Sequence, residues 1–135
     1  MVVGETKDVG FNIGVSKTVP YPAAEVWSFL TSPAGIAVWL GEGADIGREK
    51  GKVYTTHDGT TGEIRSYHEG EKIRMTCTPA GWDHSTTLQI TTTPSATGTT
   101  IRFHQEWLAD SRERERQRTH WQSVMSKIVD ALAAK

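Results

Sequence analysis

The C-terminal stretch of the chain, residues 110–135, constrains the fold more than any other segment. No Pro or Gly interrupts it from Ser111 onward, and Asp110 with Glu113 forms a helix-capping pattern at its start. A helix of roughly 23 residues is about 34 Å long, so the rest of the chain must supply a surface for it to cover. Its apolar side chains recur at the three- and four-residue spacing of one helix face: Trp121, Val124, Met125, Ile128, Val129 and Leu132.

Length and composition limit the classes of function. A chain of 135 residues most simply forms one domain with its own core. The net charge of -1 offers no basic excess for nucleic acid, and the longest apolar run, residues 36–40, is too short to span a membrane. The lone Cys77 excludes an intramolecular disulfide and a cysteine metal cluster. We therefore expect a cytoplasmic monomer or weak homodimer with no metal, cofactor, nucleic-acid partner or membrane insertion.

The N-terminal third predicts an arm, a strand and two short helices. Residues 1–10 lack periodicity and are expected to form a flexible arm, followed by a single domain over 11–135. Alternating apolar residues from Ile13 to Val19 predict a strand with one buried face, which Pro20 and Pro22 end. Apolar spacing then predicts two helices, the second with its N-cap and first residue at Ser32-Pro33.

From residue 44 to residue 108 the hydrophobic period changes to two, and glycine-containing turns divide the chain into short segments. With the first strand, these segments make about seven antiparallel strands, each with one apolar and one wet face. We predict an α+β fold of order β-α-α-β6-α, in which the curved sheet wraps around the long C-terminal helix. The expected strands lie near 44–47, 52–57, 62–68, 71–79, 84–93 and 98–108.

This order of elements resembles the helix-grip fold of the START/SRPBCC superfamily, and most closely its heat-shock-protein-90 ATPase activator homologue branch, which includes CalC-like proteins. The resemblance implies binding of small apolar molecules between helix and sheet, with polyketide cyclases and chaperone activators among the relatives. It covers about residues 11–134. The residues that carry it are Pro22, Glu25-Val26-Trp27, Leu30-Thr31, Pro33, Trp39, Gly51, Asp58-Gly59, Gly62-Glu63-Ile64, Gly98-Thr99, the strand 101–107, Trp121 and Met125.

Side chains on the inner strand faces and on the helix stripes are candidates to line a ligand cavity, a mostly apolar wall with a few polar groups. The alternative is that they simply fill the core. The predicted ligand-binding residues are Trp39, Tyr54, Met75, Phe103, Gln105, Trp121 and Met125. Further residues expected to point inward are Ser66, Cys77, Leu88, Ile90 and Ile101.

Gln105 is the most informative of these residues, because a buried amide without partners costs about 1–3 kcal/mol. It must therefore meet a ligand, water, a nearby backbone group or Tyr54. His104-x-Glu106 lies on the opposite strand face, where surface ion pairing beside Arg102 is expected rather than a metal site. Cys77 lies mid-strand without a paired His and is predicted to be a small buried hydrophobe.

Three functions remain open at this point. The first is binding of a small hydrophobic molecule, such as a lipid, polyketide or similar metabolite, without catalysis. The second is a cyclase- or aromatase-like enzyme that uses the same cavity, with Tyr54 or Gln105 as hydrogen-bond donors. The third is a protein-interaction or chaperone-cofactor module. No nucleophile motif, dinucleotide-binding motif or phosphate loop occurs, so no catalytic or metal residues are predicted.

Overall fold

The computed structural model describes residues 10–135 in full and the backbone of Glu5–Thr6. Most of the predicted arm, residues 1–10, lies outside the described residues. The elements are β1 (Glu5–Thr6), β2 (Gly10–Val19), α1 (Ala23–Leu30), α2 (Pro33–Trp39), β3 (Val53–Thr55), β4 (Thr61–His68), β5 (Lys72–Cys77), β6 (Thr86–Ser95), β7 (Gly98–Leu108) and α3 (Ser111–Ala133).

The strands form one antiparallel sheet in the order β1-β2-β7-β6-β5-β4-β3. The long helix α3 contacts β2 and β7 at one side and α2 at the other, so it lies across the sheet as predicted. The α+β helix-grip architecture is therefore confirmed. Six strands of three residues or more make up the described sheet instead of seven, and the two-residue β1 pairs at its edge.

The segment at 44–47 is not a strand, and that part of the prediction is wrong. Ile46 is buried, but no described strand pairs with this segment. At Gly47 the φ angle of 61° lies in the left-handed region, which turns the chain away from an extended path. The chain joins the sheet only at Gly51, whose N–H donates to the carbonyl of Ile64 at 2.8 Å. A single buried apolar residue, Ile46, therefore gave this segment a strand-like sequence pattern.

A β-bulge in β4 reverses one predicted orientation. Ile64 pairs with Met75 and Ser66 pairs with Arg74, so two steps along β4 match one step along β5. Ser66 consequently lies beside Arg74, on the sheet face opposite Met75. The prediction that Ser66 points inward is wrong, because the extra residue shifts the alternation by one.

A second bulge reverses the end of β7. Phe11 pairs with Leu108 and Ile13 pairs with Gln105, so two residues of β7 lie opposite one residue of β2. Trp107 adopts a φ angle of 67° and is 49% exposed, whereas Leu108 is buried. Strict alternation along β7 would put Trp107 on the inner face with Gln105, and it fails at this bulge.

The outer face of the sheet carries ion pairs, but not between the expected partners. Glu106 is largely buried and accepts a hydrogen bond from Arg74 Nη2 at 2.8 Å. The ring of His104 lies 3.4 Å from the side-chain oxygen of Asn12. His104 and Glu106 thus share a face, as predicted, while the cation that pairs with Glu106 comes from β5.

The predicted helix starts are confirmed. Asp110 accepts a hydrogen bond from the backbone N–H of Glu113 at 2.8 Å, and Ser32 Oγ accepts one from the N–H of Gly35 at 3.1 Å. None of the helices in the described part of the chain has the length and apolar character that a bilayer span requires.

Candidate functional site

A pocket of about 230 Å³ lies between the N-terminal half of α3 and the inner face of the sheet. The strands β5, β6 and β7 form its floor, α2 and α3 its walls, and the loops after β3 and β5 its rim. A larger depression of about 340 Å³ beside residues 44–48 is more open to solvent. The residues that line the pocket are Trp39, Leu40, Asp58, Thr60, Cys77, Pro79, Ala80, Leu88, Gln105, Gln117, His120 and Trp121.

The floor of the pocket is organised by Gln105, which is 1% exposed. Its Oε1 accepts hydrogen bonds from the indole N–H of Trp121 and from Nε2 of Gln117, both at 2.9 Å. Its Nε2 donates to Thr86 Oγ1 at 2.9 Å, and the Thr86 hydroxyl donates to the carbonyl of Cys77 at 2.6 Å. This chain of hydrogen bonds ties α3 to three adjacent strands.

These partners of Gln105 are not those anticipated from the sequence. Tyr54 is buried, and its hydroxyl donates to the carbonyl of Thr76 at 2.7 Å, so it is committed to a backbone group. Desolvation raises the pKa of Tyr54 far above its ordinary value. Because three side chains satisfy the Gln105 amide, its burial avoids the cost of an unpaired polar group and fixes the shape of the floor.

Aromatic rings make the walls rigid. The rings of Phe103 and Trp121 stack with centroids 4.6 Å apart and an interplanar angle of 14°. The indole N–H of Trp39 donates to the carbonyl of Leu30 at 2.8 Å. Both tryptophans of the pocket therefore use their N–H groups within the protein and offer mainly apolar surface to the pocket.

Two titratable groups lie at the rim. The Thr56 hydroxyl and the Thr60 backbone N–H donate to the carboxylate of Asp58, and these hydrogen bonds lower its pKa. Partial desolvation of the ring lowers the pKa of His120, and the charge of Lys127 lowers it further. Near neutral pH the rim therefore presents an ionised carboxylate and a neutral imidazole.

Three of the seven predicted ligand-binding residues, Trp39, Gln105 and Trp121, line this pocket. They come from α2, β7 and α3, elements that the predicted fold brings together. Whether they bind a ligand stays a prediction.

The structure places the other four elsewhere. Met75 and Phe103 are fully buried within the core and do not line the pocket. Tyr54 is also absent from the lining. Met125 lies on the side of α3 that faces β2, where it lines a separate groove with Val15 and other residues. The alternation of inward-facing residues along each strand thus identified core positions, but it does not determine which of them border the pocket.

Sequence reasoning missed Asp58, Gln117 and His120 as pocket residues. A signal existed for Gln117, because it lies four residues before Trp121 and so shares its helix face. Asp58 lies in the turn between β3 and β4, and an Asp-Gly turn by itself does not indicate a pocket. His120 follows no pattern that marks a pocket, since it is set by the lateral position of α3 on the sheet.

The predicted role of Cys77 as a small buried residue agrees with its surroundings. It is 6% exposed, and burial raises the pKa of its thiol to about 11. The thiolate is therefore scarce near neutral pH. Within residues 10–135, no three His, Cys, Asp or Glu side chains converge as a group that could hold a metal ion.

Comparison with known proteins gives a family and a set of similar folds. The family model described as Activator of Hsp90 ATPase homolog 1-like protein matches residues 20–133. No curated protein matches the chain significantly.

Solved structures resemble the chain at low sequence identity. Protein MLL2253 from Mesorhizobium loti is 22% identical, with a TM-score of 0.79 over 92% of this chain and 98% of that one. CalU16 from Micromonospora echinospora is 16% identical, with a TM-score of 0.74 over 88% of this chain and 73% of that one. DynU16, described as a protein in the dynemicin biosynthetic locus, is 19% identical with a TM-score of 0.79, and 90% of this chain matches 47% of it. At these identities the likeness concerns the fold.

Proposed function

The chain belongs to the Activator of Hsp90 ATPase homolog 1-like family, and we propose that it binds a small hydrophobic molecule in the pocket beneath Trp121 without catalysing a reaction. The observation that carries the proposal is a partly open pocket whose one buried amide at the floor, Gln105, is satisfied within the protein. A binding site of this kind presents apolar walls with a few oriented polar groups. The predicted family resemblance is confirmed, and the ligand is the part that we add.

The size of the pocket limits the ligand. Its volume of about 230 Å³ exceeds the roughly 150 Å³ cavity that holds benzene in an engineered protein. It lies below the usual range of about 300–1,000 Å³ for drug-sized ligands. A one- or two-ring molecule fits without rearrangement, whereas a long lipid chain or a multi-ring polyketide would require the rim loops or α3 to move.

The arrangement of polar groups favours binding over catalysis. The amides of Gln105 and Gln117 do not titrate, and they bond to each other at 2.9 Å. The Cys77 thiol stays protonated near neutral pH, and the other two titratable groups, Asp58 and His120, lie at the rim rather than at the floor. A ligand held against Trp39 and Trp121 would therefore meet hydrogen-bonding groups but no tuned acid–base pair at its buried end.

The proposal is tested by blocking the entrance. Ala80 lines the pocket and is exposed, so Ala80→Trp is expected to fill the mouth with little effect on folding. Ala96, exposed in the turn between β6 and β7, provides the matched control Ala96→Trp. Phenethyl alcohol should shift the indole N–H NMR signals of Trp39 and Trp121 in the control but not in Ala80→Trp. Equal shifts in both variants, or none in the native protein, would refute the proposal.

A cyclase-like activity in the same pocket is the second candidate, and His120 with Asp58 is the observation that favours it. A neutral imidazole can accept a proton from a substrate that enters over the rim. Under this hypothesis His120→Phe abolishes turnover of a polyketide-type substrate while the fold is retained. If Gln105 is the hydrogen-bond donor, Gln105→Leu should cause the same loss. Unchanged turnover in both variants would exclude a cyclase-like activity.

A chaperone-cofactor role is the third candidate, and the family description supports it. The outer face of the sheet, which carries Arg74, Arg102 and Glu106, is the surface available for a protein partner. Recovery of a chaperone from native lysate by the protein, lost in Arg102→Glu but kept in Ala80→Trp, would favour this role over pocket binding. We place the protein in the cytoplasm as a monomer or weak homodimer, which light scattering and fractionation can check.

A further inference from the structure

The hydrogen-bond chain beneath Trp121 determines which way each amide points. An indole N–H can only donate, so the atom of Gln105 that meets it must be the carbonyl oxygen. The same oxygen also meets the side-chain amide of Gln117 at 2.9 Å, and that contact requires the NH2 group of Gln117. The carbonyl oxygen of Gln117 is consequently turned away from Gln105.

The side-chain oxygen of Gln117, Oε1, is therefore a hydrogen-bond acceptor that receives no donor from the described residues. None of the hydrogen bonds among residues 10–135 ends on it, and it is not among the fully buried unpaired atoms of this region. The two indole N–H groups of the pocket are in use elsewhere, since the Trp121 N–H donates to Gln105 and the Trp39 N–H donates to the carbonyl of Leu30. The pocket wall thus offers a positioned carbonyl oxygen.

The charge of the pocket also favours a ligand that donates a hydrogen bond over a ligand that carries a negative charge. The residues that line it include no Lys and no Arg, and the carboxylate of Asp58 is their one full charge near neutral pH. No ion pair in the described part of the chain neutralises Asp58. A ligand carboxylate or phosphate would find no cation among the lining residues, and the Asp58 carboxylate would repel it at the rim.

We propose that the pocket selects a compact ring molecule that carries a hydrogen-bond donor, either a hydroxyl or a protonated amine, and discriminates against carboxylates. The inference rests on the proposed function, because it specifies the ligand of the same pocket. The ring lies against the indoles of Trp39 and Trp121, and the donor reaches Gln117 Oε1 or the Asp58 carboxylate. One positioned hydrogen bond of this kind alters affinity by about two- to tenfold.

Three probes of nearly equal size test this selectivity: phenethylamine, phenethyl alcohol and phenylacetate. Dissociation constants come from NMR titration of the indole N–H signals, which tolerates millimolar affinities. We expect the amine and the alcohol to bind about two- to tenfold more tightly than phenylacetate. Gln117→Met should reduce this advantage for the alcohol, since it keeps the side-chain length and removes the acceptor.

Asp58→Asn tests the contribution of the Asp58 charge separately from that of the Gln117 acceptor. The matched control for net charge is Asp130→Asn, an exposed change on α3. Asp58→Asn should lower the affinity for phenethylamine more than for phenethyl alcohol, while Asp130→Asn leaves both unchanged. Equal binding of all three probes, or tightest binding of phenylacetate, overturns the selectivity but leaves pocket binding intact. A failure of all three to shift Trp39 and Trp121 overturns the proposed function and this inference together.

Discussion

The two halves of α3 cover the same sheet in different ways. Toward its C-terminus, Ile128 and Leu132 are 0% and 1% exposed and belong to a continuous apolar core. Toward its N-terminus, Gln117 and Trp121 bond to a buried amide, and about 230 Å³ beside them stays unfilled. One helix therefore provides both a close-packed anchor and the wall of a pocket.

The difference shows how the fold separates stability from binding. Aliphatic side chains stabilise by removing apolar area from water and by dense packing, which leaves no space for a ligand. A buried polar network fixes the positions of its members through directed bonds, so it can hold a wall in place beside a void. The pocket occurs at the half of α3 where Gln105 makes such bonds.

The largest expected effect concerns the close-packed C-terminal half of α3. Ile128→Ala should lower the free energy of unfolding by about 2–5 kcal/mol, because it removes a fully buried aliphatic side chain and leaves a cavity. Binding of phenethyl alcohol at the other half of α3 should not change while the protein remains folded. Urea denaturation measures the first quantity and NMR titration the second, with exposed Ser126→Ala as the control. A matching loss of affinity would show that the two halves are not separable.

The next largest effect concerns the N-terminal half of α3, which bonds to Gln105. Gln105→Leu leaves the N–H of Trp121 and the amide of Gln117 without their acceptor, so unfolding should become easier by about 1–3 kcal/mol. The exposed change Gln122→Leu on the same helix should stay within about 0.5 kcal/mol of the native protein. Chemical denaturation compares the two. A Gln105→Leu protein as stable as the native one would mean that the network contributes nothing to holding this half.

A smaller effect isolates one bond of the network. Trp121→Phe keeps a ring to stack on Phe103 but removes the N–H that donates to Gln105. The expected loss of stability is about 0.5–1.5 kcal/mol, the usual net value of one hydrogen bond. Thermal and urea unfolding can measure it. A loss as large as that of Gln105→Leu would indicate that the indole itself, and not the amide, organises the pocket.

The smallest effect concerns the start of α3, where His84 joins the loop after β5 to the helix. Its ring nitrogens lie 3.0 Å from Asp83 Oδ1 and 2.8 Å from Glu113 Oε1, and these hydrogen bonds raise its pKa. A raised pKa favours the protonated form in the folded state. The stabilisation is therefore full below the ordinary pKa of about 6.5 and is lost as the pH rises through the raised value.

His84→Gln should accordingly destabilise the protein more at pH 6 than at pH 9. The measurement is the difference in urea midpoint between the native protein and the variant across this range. His68, an exposed histidine at the end of β4 that forms no ion pair within residues 10–135, supplies the matched control His68→Gln. A difference for His84→Gln that grows with pH would contradict the assigned direction of the pKa.

The pattern of apolar residues predicted most of the architecture, and its failures have local causes. The stripe of α3 and the alternation of β5, β6 and β7 follow directly from helix and strand periods. Ser66 was misplaced, and strict alternation fails at Trp107, because bulges insert one residue into β4 and β7. A bulge depends on the register between two strands, and a single strand's sequence does not record it.

By itself, the sequence determined the α+β order, the long closing helix and three residues of the pocket, Trp39, Gln105 and Trp121, because burial follows hydrophobic period. Only the tertiary structure decided that Gln117, His120 and Asp58 meet around the same space. They lie on α3 and on the loop after β3, and their meeting depends on where α3 crosses the sheet. It also decided that the Gln105 amide is satisfied by side chains of α3 and β6, since hydrogen-bond partners are set by distance in space rather than by spacing along the chain.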